Sequence, residues 1–112
     1  MESKRQQKIE RFLQKEMSEI FEVDGRDLFP GAMITITKVH ITKDMSIARF
    51  YLSLFAVKNK QDLLETIRSH TSEFRYKLGT RIRRQLRIIP GIEFFEDDSL
   101  DYIENIEKLL KK

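Results

Sequence analysis

Between Asn59 and Pro90, the residues Leu64, Ile67, Thr71, Phe74, Leu78 and Ile82 follow one another at gaps of three and four. That spacing puts them on one face of a helix. Such a face must be buried, so the stretch has to lie against a sheet or other helices. The same stretch carries the densest positive charge, with six basic residues and no acidic one from Arg75 to Arg87. With Phe74 at 0° and about 100° per residue, Leu78, Ile82 and Leu86 fall at roughly 40°, 80° and 120°. Arg83, Arg87, Arg84, Lys77 and Arg81 then fan from roughly 180° to 340°, on the opposite side. Only Arg75 falls in the apolar arc, where its stem is expected to pack at the rim with the guanidinium reaching outward.

A helix face bearing both signs is usually just solvated. Here the sign is unmixed: Lys77, Arg81 and Arg84, like Arg83 and Arg87, stand at spacings where like charges repel. A ridge that weakens its own helix is better explained as a surface for a polyanion. Arginine outnumbers lysine there five to one, and its planar fork matches phosphate oxygens.

The 112 residues suffice for one domain, taken as 1–112. No window approaches the roughly 18 uncharged apolar residues of a membrane span, and MESKRQQKIERF has no apolar core of a secretory signal. Without cysteine there are no disulfides or thiolate metal sites. The expectation is a cytoplasmic protein. Net charge is only +3, but it is unevenly spread: Glu93 to Glu107 holds seven carboxylates and no basic residue.

Helix one is expected from Ser3, a plausible N-cap, to Glu22, with the stripe Ile9, Phe12, Leu13, Met17, Ile20 and Phe21. Lys4, Arg5, Lys8 and Arg11 crowd its first half against the macrodipole, either as a solvated end or as an extension of the basic surface. Val23 to Ala32 reads as a loop, with Asp24-Gly25 and Pro30-Gly31 as turn dipeptides. Ile34 and Ile36 alternate with threonines, then Val39 and Ile41 take the other parity, a slip that predicts a bulge at Thr37–Lys38. Five residues separate this strand from Ile47–Phe55, so the two form an antiparallel hairpin.

Asn59 and Asp62 open the next helix, and Ser69-His70-Thr71-Ser72 predicts a kink between two helices. Gly79 suggests a close backbone approach. Pro90-Gly91 ends the helical region, and Ile92–Glu96 is a short third strand. About 99–110 is an amphipathic terminal helix that could be an appended or mobile element. The fold class is α+β, with the order α-β-β-α-kink-α-β and a short C-terminal helix on or near a three-stranded sheet.

No catalytic residue, metal site, cofactor or small-molecule substrate is expected. His40 and His70 are the only histidines, and His40, lacking metal-ligand spacing, is read as surface. Glu96, Asp97, Asp98 and Asp101 could hold Mg²⁺, but helix-start chemistry accounts for them more simply. No Gly-rich phosphate loop or nucleophile–base pair stands out.

Five pieces, in order, resemble a known family: Leu13-Gln14-Lys15-Glu16 after Arg5 and Lys8; ITKVHITKDMSIARFYLS from Ile36 to Ser53; FRYKLG from Phe74 to Gly79; RQLRIIP from Arg84 to Pro90; and FFEDDS from Phe94 to Ser99. Their order and spacing resemble the ribosome-binding factor A family, a KH-like domain of the prokaryotic (type II) arrangement, over nearly the whole chain. The resemblance implies a non-enzymatic, cytoplasmic, monomeric assembly factor. It would bind the small (30S) ribosomal subunit late in maturation, contact 16S rRNA and its precursor, and assist precursor processing, especially in the cold.

KH domains that clamp single strands carry Gly-x-x-Gly between the paired helices, and the family usually has Ala-x-Gly there. This chain has His70-Thr71-Ser72, so weight moves from a backbone clamp to the arginine face. The expected RNA-binding set is Lys77, Arg81, Arg83, Arg84 and Arg87, with Arg75 and His70, and with Arg5 and Lys8 if helix one packs alongside. Two other readings stay open. One is a generic single-stranded RNA-binding KH protein. The other is a protein-interaction module using the acidic segment Glu93–Glu107.

Overall fold

The computed structural model describes residues 3–55 and 57–97. In chain order the elements are α1 (Lys4–Leu28), β1 (Met33–Ile41), β2 (Ile47–Phe55), α2 (Lys60–Ser69), α3 (Thr71–Ile82) and β3 (Gly91–Glu96). The sheet order is β1-β2-β3; β1 runs antiparallel to β2 and β3 parallel to it. A parallel pair needs a crossover, which α2 and α3 supply. The expected α+β order holds. The C-terminal helix expected at about 99–110 lies outside the described residues.

α1 starts at a capping box: Ser3 Oγ accepts from the Gln6 N–H and Gln6 Oε1 from the Ser3 N–H. It does not stop at Glu22. The stretch expected as a loop from Val23 continues the helix to Leu28, with Phe29 as its cap. Gly25 costs about 1 kcal/mol there relative to Ala, but the longer helix delivers Phe29 into the core at 4% exposure. Burying a phenylalanine is worth roughly 1.5–3 kcal/mol, so packing overrides the local turn signal. The turn comes at Pro30-Gly31 instead, with Gly31 at φ 80°.

The bulge is where the parity slip put it: the β1–β2 register shifts between Ile36 and Lys38. The skipped Thr37 turns its hydroxyl to the Tyr51 carbonyl and the Asp97 carboxylate. Gln6, Glu10 and Gln14, four residues apart on α1, reach the outer edge of β1. Gln6 Nε2 donates to the Ile41 carbonyl at 3.1 Å, Glu10 Oε2 accepts from the Ile41 N–H at 2.8 Å, and Gln14 Nε2 donates to the Ile36 carbonyl at 2.8 Å. His40 Nδ1 stands 3.7 Å from Glu10, so this histidine faces α1 and is not the plain surface residue expected.

Ala48, Phe50, Leu52 and Leu54 of β2 are buried under the helices. Phe74 of α3 stacks on Phe21 of α1 at 4.5 Å between ring centroids and meets Phe94 of β3 edge-on at 5.7 Å. The kink falls at His70, between α2 and α3. Thr71 Oγ1 donates to the Arg68 carbonyl at 2.6 Å, the kind of local bond that competes with a continuous helix.

α3 ends at Ile82, eight residues before Pro90. Continuing to Pro90 would carry the chain about 12 Å further along the axis, at 1.5 Å per residue. Gly91 must instead return to donate to the Ser46 carbonyl at 2.8 Å and begin β3. Arg83, Arg84 and Arg87 therefore stand on a turn, not on the helix.

Candidate nucleic-acid interface

Docking α3 beside α1 decides which cations remain available. Lys77 Nζ lies 3.0 Å from Asp24 Oδ2. Arg81 Nε donates to Glu16 Oε2 at 2.8 Å, and its Nη2 bonds Glu19. The hydrogen bond it donates to Glu16, reinforced by the charges of Glu16 and Glu19, holds the Arg81 guanidinium protonated still more firmly than usual. The unopposed ridge expected along α3 is therefore broken at Lys77 and Arg81, whose charges are matched by α1. The sequence did carry a signal for this. Glu16 and Glu19, one turn apart, flank the apolar stripe Leu13, Met17 and Ile20, but nothing local says which helix they face.

Arg75 also departs from expectation. Its guanidinium is tied back to the return segment, Nε donating to the Pro90 carbonyl at 3.1 Å and Nη2 to the Ile89 carbonyl at 2.9 Å. It pins the return segment onto α3. His70 packs edge-on against Phe29 and Phe74, and its Nδ1 is 3.5 Å from Glu73; at the hinge it serves packing. The Gly79 expectation also fails. A Cβ there would meet Ile89 at 3.6 Å, an ordinary contact.

Arg83, Arg84 and Arg87 are exposed, and none of their side chains has an ion pair or hydrogen bond among the described residues. Arg5 and Lys8 of α1 are likewise exposed and unpaired among the described residues. Arg5 and Arg87 line one pocket, so α1 does bring its N-terminal charge alongside the turn. Sequence reasoning missed Tyr76. It is 73% exposed and lies on α3, ahead of the turn that carries Arg83, Arg84 and Arg87. An exposed aromatic offers a π-face on which a base can stack.

The acidic segment offers no comparable surface among the described residues. Glu93 pairs with Arg49 at 3.0 Å, Glu96 stands 3.9 Å from Lys60, and Asp97 accepts from Thr37. No group of three or more His, Cys, Asp or Glu able to hold a metal ion occurs among the described residues. No helix among them is long and apolar enough to cross a membrane. An open cleft of about 670 Å³ between α1 and β1 contains none of the expected site residues, with Arg26 and Glu22 as its charged groups.

The family model described as Ribosome-binding factor A matches residues 5–110. Similar sequences include the ribosome-binding factor A of Cytophaga hutchinsonii, 46% identical over 112 residues, covering 100% of this chain and 84% of that protein. That of Flavobacterium johnsoniae is 40% identical over 111 residues, covering 98% and 85%. The crystal structure of ribosome-binding factor A from Thermus thermophilus superimposes with a TM-score of 0.66 at 22% identity, covering 81% of this chain and 94% of that one. A homology model of the Thermus thermophilus protein, fitted into a cryo-EM map of a 30S complex of that factor, gives 0.62 at 23% identity, covering 80% and 91%.

Proposed function

Because this chain belongs to the ribosome-binding factor A family, we propose that it is a non-catalytic assembly factor that binds the small (30S) ribosomal subunit. In this reading it acts as a cytoplasmic monomer late in maturation, contacts 16S rRNA and its precursor, and assists precursor processing, especially in the cold. The observation that carries the RNA contact is the group of free guanidiniums past the end of α3: Arg83, Arg84 and Arg87, with Arg5 and Lys8 on the neighbouring helix. Phosphate contacts orient a protein on RNA without reading sequence, so selectivity falls to rRNA shape and to Tyr76. Lys77, Arg81, Arg75 and His70 act indirectly, by holding α1, α3 and the turn in place.

The test is co-sedimentation with 30S particles, wild type against Arg83→Glu/Arg84→Glu. Neither residue makes an ion pair among the described residues, so the variant should fold with an unchanged melting temperature and lose binding. Five phosphate contacts give log K against log salt a slope of roughly −3.5 to −4.5. Removing two should flatten it by about 1.4–1.8. A folded variant that binds 30S as well as wild type rejects this face.

A further inference from the structure

The pocket shared by Arg5 and Arg87 lies between the start of α1, the β1–β2 turn and the segment that leads into β3. Its volume is about 260 Å³. Ile9, Ile41 and Pro90 form a buried apolar floor, Met45 and Leu86 are partly buried, and Ile88, 69% exposed, stands at the lip. Asp44 also lines it. We infer that this pocket receives the unstacked base of one RNA nucleotide, with Arg5 and Arg87 on the phosphates that flank it. The inference rests on the RNA-binding reading above and adds a specific subsite to it.

Size, lining and charge placement agree. The volume lies just below the roughly 300–1,000 Å³ of pockets that engulf drug-sized ligands, which suits a single base whose sugar and phosphate stay outside. Single-stranded RNA is recognised through splayed bases set against apolar or guanidinium surfaces, with hydrogen bonds to their edges. The Arg5 and Arg87 guanidiniums have no partner among the described residues, so both are available to phosphate.

Asp44 separates this from a bare anion site. Its Oδ1 accepts from the Thr42 hydroxyl at 2.8 Å, the Ser46 hydroxyl at 2.7 Å and the Ser46 N–H at 3.1 Å. Those bonds, the Ser46 hydroxyl foremost, hold its carboxyl below the usual range, so it is ionised at neutral pH. Oδ2 accepts no hydrogen bond among the described residues. A free carboxylate oxygen accepts from a base N–H but repels a phosphate, so phosphate is kept out at the arginines. Met45, at φ 64°, is the left-handed residue that closes the β1–β2 turn, its N–H donating to the Thr42 carbonyl at 2.8 Å, so the hairpin fixes this wall.

The experiment is an NMR titration of the full chain with adenosine monophosphate, adenosine and inorganic phosphate as separate probes, reading backbone amides. Adenosine monophosphate should shift the amides of residues 41–46 and 86–91. Adenosine, without the phosphate, should bind about tenfold more weakly, and inorganic phosphate should be weaker still. Arg5→Ala and Arg87→Ala should each weaken the monophosphate response about tenfold and the adenosine response by much less. Inorganic phosphate matching the nucleotide overturns the base pocket in favour of a simple anion site. No shift at 41–46 and 86–91 overturns it outright. If those amides stay still while Arg83→Glu/Arg84→Glu abolishes 30S binding, the pocket falls and the interface stands. If the amides move and the paired variant binds 30S normally, the pocket is supported and the interface is rejected.

Discussion

Arg81 is where the helical wheel and the packed structure disagree, and replacing it with alanine separates them. On the wheel it belongs to the cationic face, so Arg81→Ala should cost RNA binding and nothing else. In the structure it clamps α3 to Glu16 and Glu19 of α1, so the substitution should cost stability. Exposed ion pairs contribute about 0.2–1 kcal/mol. The Arg81 side chain is 37% exposed but that of Glu16 only 16%, which places this pair at the upper end. Losing the guanidinium also leaves Glu16 and Glu19, one turn apart, to repel each other by a few tenths of a kcal/mol. The total is about 1 kcal/mol, or about 4 °C of melting temperature for 112 residues. Thermal unfolding followed by circular dichroism measures it. Arg84→Ala, which breaks no ion pair among the described residues, should stay within about 0.5 kcal/mol of wild type. A double-mutant cycle with Glu16→Gln should return a coupling of about 0.5–1 kcal/mol. At about 1 M salt, where the Debye length is about 3 Å, the difference between Arg81→Ala and wild type should narrow. If Arg81→Ala melts with wild type and loses 30S binding, the clamp is wrong and the wheel was right.

Gly79→Ala should stabilise the protein by up to about 1 kcal/mol, because its Cβ meets Ile89 only at ordinary contact distance; a lowered melting temperature contradicts this. Asp44 should titrate, by NMR of its carboxyl carbon, with a midpoint below the usual aspartate value of about 3.9, since Ser46 and Thr42 hydrogen bonds depress it. The sign follows from that depression: the turn's contribution to stability is present above the unfolded-state value and disappears as pH falls through the folded one. A midpoint at or above the usual value contradicts that hydrogen-bond set.

What the sequence disclosed depended on how local the cause was. The bulge showed as a change of parity between Ile36 and Val39, the kink as poor helix formers around His70, and the start of α1 as a serine with room for a cap. Each is decided by residues within a few positions of one another. The end of α1 is not legible locally because the benefit lies far away: Phe29 is buried against Phe21 and close to Phe74. The end of α3 is hidden for a similar reason. Periodicity continues through Leu86, but chain closure onto Ser46 does not allow the helix to follow. For the site, the abundance of arginine was visible and its pairing was not, since Lys77–Asp24 and Arg81–Glu16 span 53 and 65 positions. Tyr76 lay in plain sight within the cationic arc, but a pattern of charge alone does not single out an aromatic.

The side chains of Gln6, Glu10 and Gln14 along β1, matched by Arg68 Nε on the Phe94 carbonyl of β3 at 3.0 Å, also bear on solubility. An open strand is a template on which another chain can add itself, and aggregation often begins there. Here the β1 flank has the Ile41 amide and the Ile36 and Ile41 carbonyls engaged by α1, and the β3 flank has the Phe94 carbonyl engaged by α2. On the β1 side an incoming strand would have to displace a buried carboxamide and a buried carboxylate to pair at Ile41.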